Sequence, residues 1–260
     1  LLNSIDYSKY KVDLLIVSPN KGLLIDMVNP NVSIKDPDDY FEWILLPKKT
    51  IYNAIIQSMG SNTNIFKVIY HLFYGLLIKN MGISRQRLWR ACKDSLKSFD
   101  GHYDVAIDYS GGLKAFILDK VKAKKKLTWI HSDYRVYKRD KKIDYEDYKK
   151  LDSIITVSQT AYDIFVSEFP SFQEKTHVIQ NISNKNQIQE MAKEKIDFDN
   201  NYEGIKILDI TRLDPNKGLY IAVESCKYLL DEGYDIKWYI LGDGPEKHKL
   251  EELIKFYKLE

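Results

Sequence analysis

The sequence of 260 residues has only two cysteines, Cys92 and Cys226. They are far apart and without metal-ligand spacing, which excludes a disulfide framework and predicts a reducing, cytoplasmic setting. Long hydrophobic runs are also missing: the longest, Val68–Ile78, is broken by His71 and is too short to cross a bilayer. No signal peptide is visible. There is no internal repeat, and no low-complexity tract beyond the lysine run Lys122–Lys126. An excess of one charge is lacking as well, since 39 Lys and Arg against 37 Asp and Glu leave a net charge of +2. That balance gives no support for nucleic acid as a partner. Hydrophobic residues at 44% and charged residues at 29% suit a soluble α/β chain with one large core or two smaller ones.

One local absence is informative. From Trp43 to Lys93 there is no Asp or Glu, while Lys48, Lys49, Lys67, Lys79, Arg85, Arg87, Arg90 and Lys93 are all present. Aromatic residues from Trp43 to Trp89 are interleaved with these cations, and Ile65–Ile78 is apolar around most of a helical circumference. A cationic, aromatic-rich, amphipathic stretch suits an anionic membrane surface, with Lys67, Lys79, Arg85, Arg87 and Arg90 as docking candidates. The expectation is a cytoplasmic protein held peripherally on the inner membrane face. A core helix with a solvated basic edge accounts for the same letters.

What is present is most distinctive near the carboxyl end. Ile205, Ile207 and Ile210 belong to a short β-branched run that reads as a buried strand. A polar turn with Pro215 and Gly218 follows, and Leu219–Leu230 resumes with helical spacing. Open α/β sheets bind ligands at such strand-to-helix corners. Arg212 and Lys217 stand at this corner, and a guanidinium fork beside a lysine point charge suits a diphosphate. Spacing alone fits two solvated surface cations equally well. A second unit, Ile236–Pro245, repeats the pattern with the turn Gly242, Asp243, Gly244, and Pro245 suits the first position of the next helix.

Together, TRLDPNKG and LGDGPEKHKLEELI resemble the donor-binding half of the retaining family 4 glycosyltransferases, which adopt the GT-B fold of two Rossmann-like domains. In that family the Arg and Lys of R-L-x-x-x-K-G hold the donor diphosphate, and Arg212, Leu213, Lys217 and Gly218 match it position by position. The resemblance implies transfer of a sugar from a nucleotide-diphosphate sugar to a glycan or lipid-linked acceptor with retention of configuration. It points to bacterial-type cell-surface polysaccharide synthesis. It implies no cofactor and no metal, because the two cations stabilise the leaving diphosphate. No DxD dyad lies between apolar strand residues, since Asp36-Pro37-Asp38-Asp39 reads as a solvated turn. The tetrad Ile130-His131-Ser132-Asp133 resembles the family's I-H-x-D stretch, which gives His131 a sugar or transition-state contact rather than a base role. A structural histidine, capping the next turn or bonded to Asp133, is the alternative.

The resemblance also sets limits. The family's first strand and glycine-rich loop precede a segment like KYKVDLLIV, so the chain reads as cut at its start. The family's Glu-x7-Glu motif lies beyond the LGDGP unit; Glu252 and Glu260 have that spacing in the wrong place, so the piece itself is expected to be inactive.

Three further β-α units are legible, from Tyr103–Tyr109, Leu127–Ile130 and Ser153–Val157. The first leads through Ser110, Gly111 and Gly112, an acceptor-side loop by the resemblance, and Ser158 suits an N-cap. The expected division is an acceptor domain over 1–180, a linker over 181–204 and the start of the donor domain over 205–260. Two other readings stand beside this one. Some relatives of the fold have lost catalysis and bind glycan or stabilise an active transferase. A nucleotide-sugar epimerase would use a Tyr-x-x-x-Lys pair such as Tyr145 to Lys149, but that stretch reads more readily as a solvated helix.

Overall fold

The computed structural model describes residues 2–17, 25–35, 65–78, 80–95, 98–194 and 201–260. The chain divides into two units, Leu1–Asn184 and Lys185–Glu260. Both belong to the α/β class, and every strand pairing among the described residues is parallel.

The first unit carries β1 (Val12–Leu15) and β2 (Val32–Lys35) as a parallel pair, then the helices α1 (Ile65–Ile78) and α2 (Met81–Cys92). A four-stranded sheet follows, formed in chain order by β3 (His102–Asp108), β4 (Lys122–Ile130), β5 (Ser153–Thr156) and β6 (Thr176–Val178). Between its strands run α3 (Lys114–Lys120), α4 (Lys141–Lys150) and α5 (Gln159–Glu168). The strand β2 has no counterpart among the sequence expectations, since its four residues show no alternation long enough to read.

The lysine run Lys122–Lys126 is a correction to those expectations. It is the first half of β4, which starts five residues before the predicted Leu127 and pairs with β3 from His102↔Lys122 onward. Its charges are met across the sheet: Lys124 reaches Asp104 at 2.6 Å and Lys125 reaches Asp152 at 2.8 Å. Lys126 Nζ donates to the Leu118 carbonyl at 2.9 Å. Cross-strand neighbours, rather than its own composition, make this segment a strand.

The core of this unit is aromatic. Tyr134, Tyr148, Phe165, Phe169 and Phe172 are all buried, and their rings meet largely edge to face at 4.9 to 6.3 Å. The expected cap at Ser158 is present, its hydroxyl accepting from the Ala161 N–H at 3.1 Å. The second unit comprises α6 (Lys185–Met191), β7 (Ile205–Ile210), α7 (Leu219–Asp231), β8 (Ile236–Leu241) and α8 (Lys247–Phe256). The expected linker 181–204 thus contains α6, and its residues 195–200 lie outside the described residues. Leu213, Leu219, Val223 and Leu250 form the small core of this unit.

Candidate functional site

In the second unit, the chain runs past β7 and β8 as two loops in backbone contact. The Thr211 N–H donates to the Leu241 carbonyl at 3.1 Å, and the Leu213 N–H donates to the Asp243 carbonyl at 3.0 Å. The Glu246 N–H closes the set by donating to the Leu213 carbonyl at 3.0 Å. Glycine makes this approach possible. A Cβ on Gly242 would lie 1.8 Å from the Thr211 oxygen, and one on Gly244 would lie 2.6 Å from the Leu213 oxygen. Leu213 is buried in the small core, so residues 211 and 213 are both anchored.

Arg212 sits between these anchored neighbours with its side chain 78% exposed, and its guanidinium meets Asp214 at 2.8 Å. Lys217, also exposed, ends the turn Pro215–Lys217. Gly218 then enters the left-handed region at φ 66° to open α7. Neither α7 nor α8 receives a side-chain cap at its start. Two helix N-termini and two cations therefore lie on adjoining loops that also carry Asp214, Asp243 and Glu246, and their N–H groups and cations are donors of the kind that suits an anion. The side chain of Asp243 is exposed, and its contribution to the loop pair is the carbonyl.

In the first unit, the carboxyl ends of β3 and β4 bring Ser110, Gly111, Gly112 and His131 together. Asp108, at the end of β3, is buried and organises the turn. It accepts from the Thr128 hydroxyl at 3.0 Å, the Leu113 N–H at 3.0 Å and the Ser110 hydroxyl at 2.9 Å. Gly111 has φ 71°, and a Cβ there would stand 2.4 Å from the Trp129 carbonyl oxygen. The Gly112 N–H donates to Ser110 Oγ at 3.3 Å.

His131 Nε2 lies 2.6 Å from the Tyr109 carbonyl, and its ring meets Tyr109 edge to face at 5.0 Å. A carbonyl only accepts, so the geometry assigns the proton to Nε2 and leaves Nδ1 of the neutral ring as an acceptor. Asp133 is not its partner; that carboxylate binds Arg135 at 2.6 Å and caps the turn Tyr134–Tyr137. His131 belongs to the first unit, and Arg212 and Lys217 belong to the second.

Three basic residues of the segment, Arg87, Arg90 and Lys93, are paired with carboxylates within the fold. Arg87 binds Asp140 at 2.7 Å and stacks over Tyr74 at 4.0 Å, Arg90 binds Asp147, and Lys93 binds Asp119 at 2.9 Å. Asp140, Asp144 and Asp147 lie along one face of α4, which draws Arg87 and Arg90 inward. Arg85 alone among the five candidates is described as exposed; Lys79 and the side chain of Lys67 lie outside the described residues, as do Lys48, Lys49 and the turn Asp36–Asp39.

The same face corrects the expected solvated helix around Tyr145–Lys149, because Asp144, Asp147 and Tyr148 are buried. Asp144 accepts from Tyr134 OH at 2.7 Å and Gln86 Nε2 at 2.8 Å, and it pairs with the fully buried Lys114 at 2.7 Å. Burial pushes the Lys114 amine down, with nearby Arg139 adding to the effect against the pull of Asp144. Burial raises the Asp147 carboxyl despite the presence of Arg90. This buried ionic cluster went unread in the sequence. The i, i+4, i+7 spacing of the three aspartates against Gln86, Arg87 and Arg90 was the available signal.

No protein-family model matches the chain. It is 31% identical over 116 residues to an uncharacterized glycosyltransferase of Methanocaldococcus jannaschii, a match spanning 44% of this chain and 29% of that protein. It is 39% identical over 56 residues to an Escherichia coli protein named for colanic acid biosynthesis, the glycosyltransferase WcaL, spanning 22% of this chain and 14% of that one. Among solved structures, Staphylococcus aureus TarM superposes on 68% of this chain and 35% of its own length, at 17% identity and a TM-score of 0.46. The chain thus spans about a third or less of the known proteins it matches, and the curated relatives among them are named glycosyltransferases.

Proposed function

We propose that this chain is part of a retaining glycosyltransferase of the GT-B type, in which the loops after β7 and β8 bind the diphosphate of a nucleotide-sugar donor. The observation that carries this reading is the glycine-dependent contact of the two loops, which holds Arg212 between two anchored residues beside Lys217. Cleavage of the bond between sugar and diphosphate leaves negative charge on the departing phosphate. Fixed cations and helix N-termini stabilise that charge more than they stabilise the bound donor. Their charge takes the place that a divalent cation holds in other transferases.

In this reading His131 accepts a hydrogen bond from a sugar hydroxyl through Nδ1, its other nitrogen being held by Tyr109. The leaving phosphate takes the acceptor's proton on the same face of the sugar. The Asp108 turn shapes the acceptor side through Ser110–Gly112. The acceptor is a glycan or lipid-linked saccharide, and the relative named for colanic acid biosynthesis supports a role in polysaccharide synthesis.

The test is sugar transfer by the full-length protein that contains this chain, assayed with a panel of nucleotide-diphosphate sugars. The Arg212→Ala, Lys217→Ala double variant should lose transfer by at least about 10²-fold, on the scale of losing one charge-stabilising donor. Undiminished transfer by that variant overturns the assignment.

A further inference from the structure

The function proposed above leaves the acid-free segment unused, and the structure redraws what that segment offers. Two of its expected docking cations, Arg87 and Arg90, point into the fold. Among the described residues, the exposed surface of α1 is apolar. Along α1, Ile69 is 50% exposed, Tyr70 57%, Phe73 62% and Leu77 66%. These positions recur at i, i+1, i+4 and i+8, which gathers them on one face of the helix. Tyr74, on the flank of that face, covers the Arg87 guanidinium at 4.0 Å and so ties α1 to α2.

The chemistry of the surroundings selects the occupant. No acidic residue occurs between positions 43 and 93, so nothing in the local sequence repels an anionic surface. Lys67 and Lys79 flank the stripe in sequence, and Arg85 is exposed on the adjoining α2. Aromatic side chains with polar tips favour the boundary between headgroups and acyl chains. At 14 residues α1 is too short to span a bilayer, and no helix among the described residues is long and apolar enough to do so.

We propose that the Ile69, Tyr70, Phe73 and Leu77 face of α1 inserts into the headgroup boundary of an anionic phospholipid bilayer, with the helix lying parallel to the surface. Apolar insertion supplies the affinity, and the few exposed cations supply the preference for anionic lipid.

The experiment is flotation of the 260-residue chain with vesicles of phosphatidylcholine alone or mixed with phosphatidylglycerol. The expected result is binding to the mixed vesicles, reduced at least tenfold by Ile69→Asp with Phe73→Asp. Arg85→Gln should weaken binding to anionic vesicles by about fivefold. Circular dichroism and melting check that the double variant folds; if it does not, Phe73→Ser with Leu77→Ser takes its place and should lose binding to an intermediate degree. No binding of the parent chain to anionic vesicles overturns the proposal, and so does equal binding by the folded variants. Self-association without lipid that the same variants abolish also overturns it and assigns the face to a second copy of the chain. None of these readouts uses a sugar donor, so each stands apart from the transfer assay.

Discussion

Alanine at Gly242 should damage the donor loops far more than alanine at Gly218, although Gly218 has the less common backbone conformation. At Gly242 the new Cβ would fall 1.8 Å from the Thr211 oxygen and 3.0 Å from its carbon, so backbone rather than a side chain must retreat. Retreat separates the loops and strains the bonds from Thr211 to Leu241 and from Leu213 to Asp243. Overpacking of this kind costs about 1–3 kcal/mol, and each of the two weakened hydrogen bonds adds about 1 kcal/mol, so about 3–5 kcal/mol is expected. At Gly218 the nearest atom to an added Cβ is Ile221 Cδ1 at 3.8 Å, an ordinary contact. Only the left-handed conformation is then penalised, by about 1–2 kcal/mol. Hydrogen exchange across residues 205–246, with urea unfolding of the same samples, measures both. Gly242→Ala should speed exchange at Thr211 and Leu213 and weaken nucleoside diphosphate binding, while Gly218→Ala should leave exchange at those two amides near the parent rate. Parent-like exchange and stability in Gly242→Ala would refute the reasoning about loop contact.

Other expectations follow from the same structure. Lys114→Ala takes from the buried Asp144 carboxylate one of its two cations, Arg139 at 3.1 Å being the other, and should destabilise the first unit by about 1.5–3 kcal/mol, measured by urea unfolding. Tyr103 is pushed up to about 12 by burial and by its hydrogen bond to Asp13, against an ordinary 10.0. Between those values the folded state keeps a proton that the unfolded state has lost, so stability falls as pH rises through this window. Tyr103→Phe should flatten that alkaline slope in a pH series of unfolding midpoints. In the full-length protein, His131→Ala should lower kcat by about 10²-fold with a smaller effect on donor affinity, read from steady-state kinetics. A raised donor KM with kcat unchanged would instead assign His131 to general donor binding.

Segments whose pattern is self-contained were the legible ones. Ile205–Gly218 and Ile236–Pro245 carry their strand, turn and helix signals within a dozen residues, and β7, β8 and both glycine loops appear at those positions. But β7 is not the buried strand expected, since Ile205, Leu208 and Ile210 are exposed. Ser158 could be read as a cap because capping is local. What escaped depends on distant partners. Lys122–Lys126 becomes half of a strand only because Asp104 and Asp152 face it across the sheet. Asp144 and Asp147 lie inside because Lys114, Gln86 and Arg90 come from elsewhere to meet them. Arg87 and Arg90 read as surface cations for the same reason, since a charge run shows its sign and not its partner. His131 was placed correctly at a strand end, while its bond to the Tyr109 carbonyl, and hence its tautomer, required the neighbouring strand.

The central claim is that the loops holding Arg212 and Lys217 recognise a diphosphate. Calorimetric titration of the chain with a nucleoside diphosphate and the matching monophosphate tests it directly, base by base. The account predicts that one diphosphate binds at least about tenfold more tightly than its monophosphate, and that Arg212→Ala with Lys217→Ala removes the difference. Equal affinity for the two nucleotides, or a preference that survives the double substitution, would contradict it.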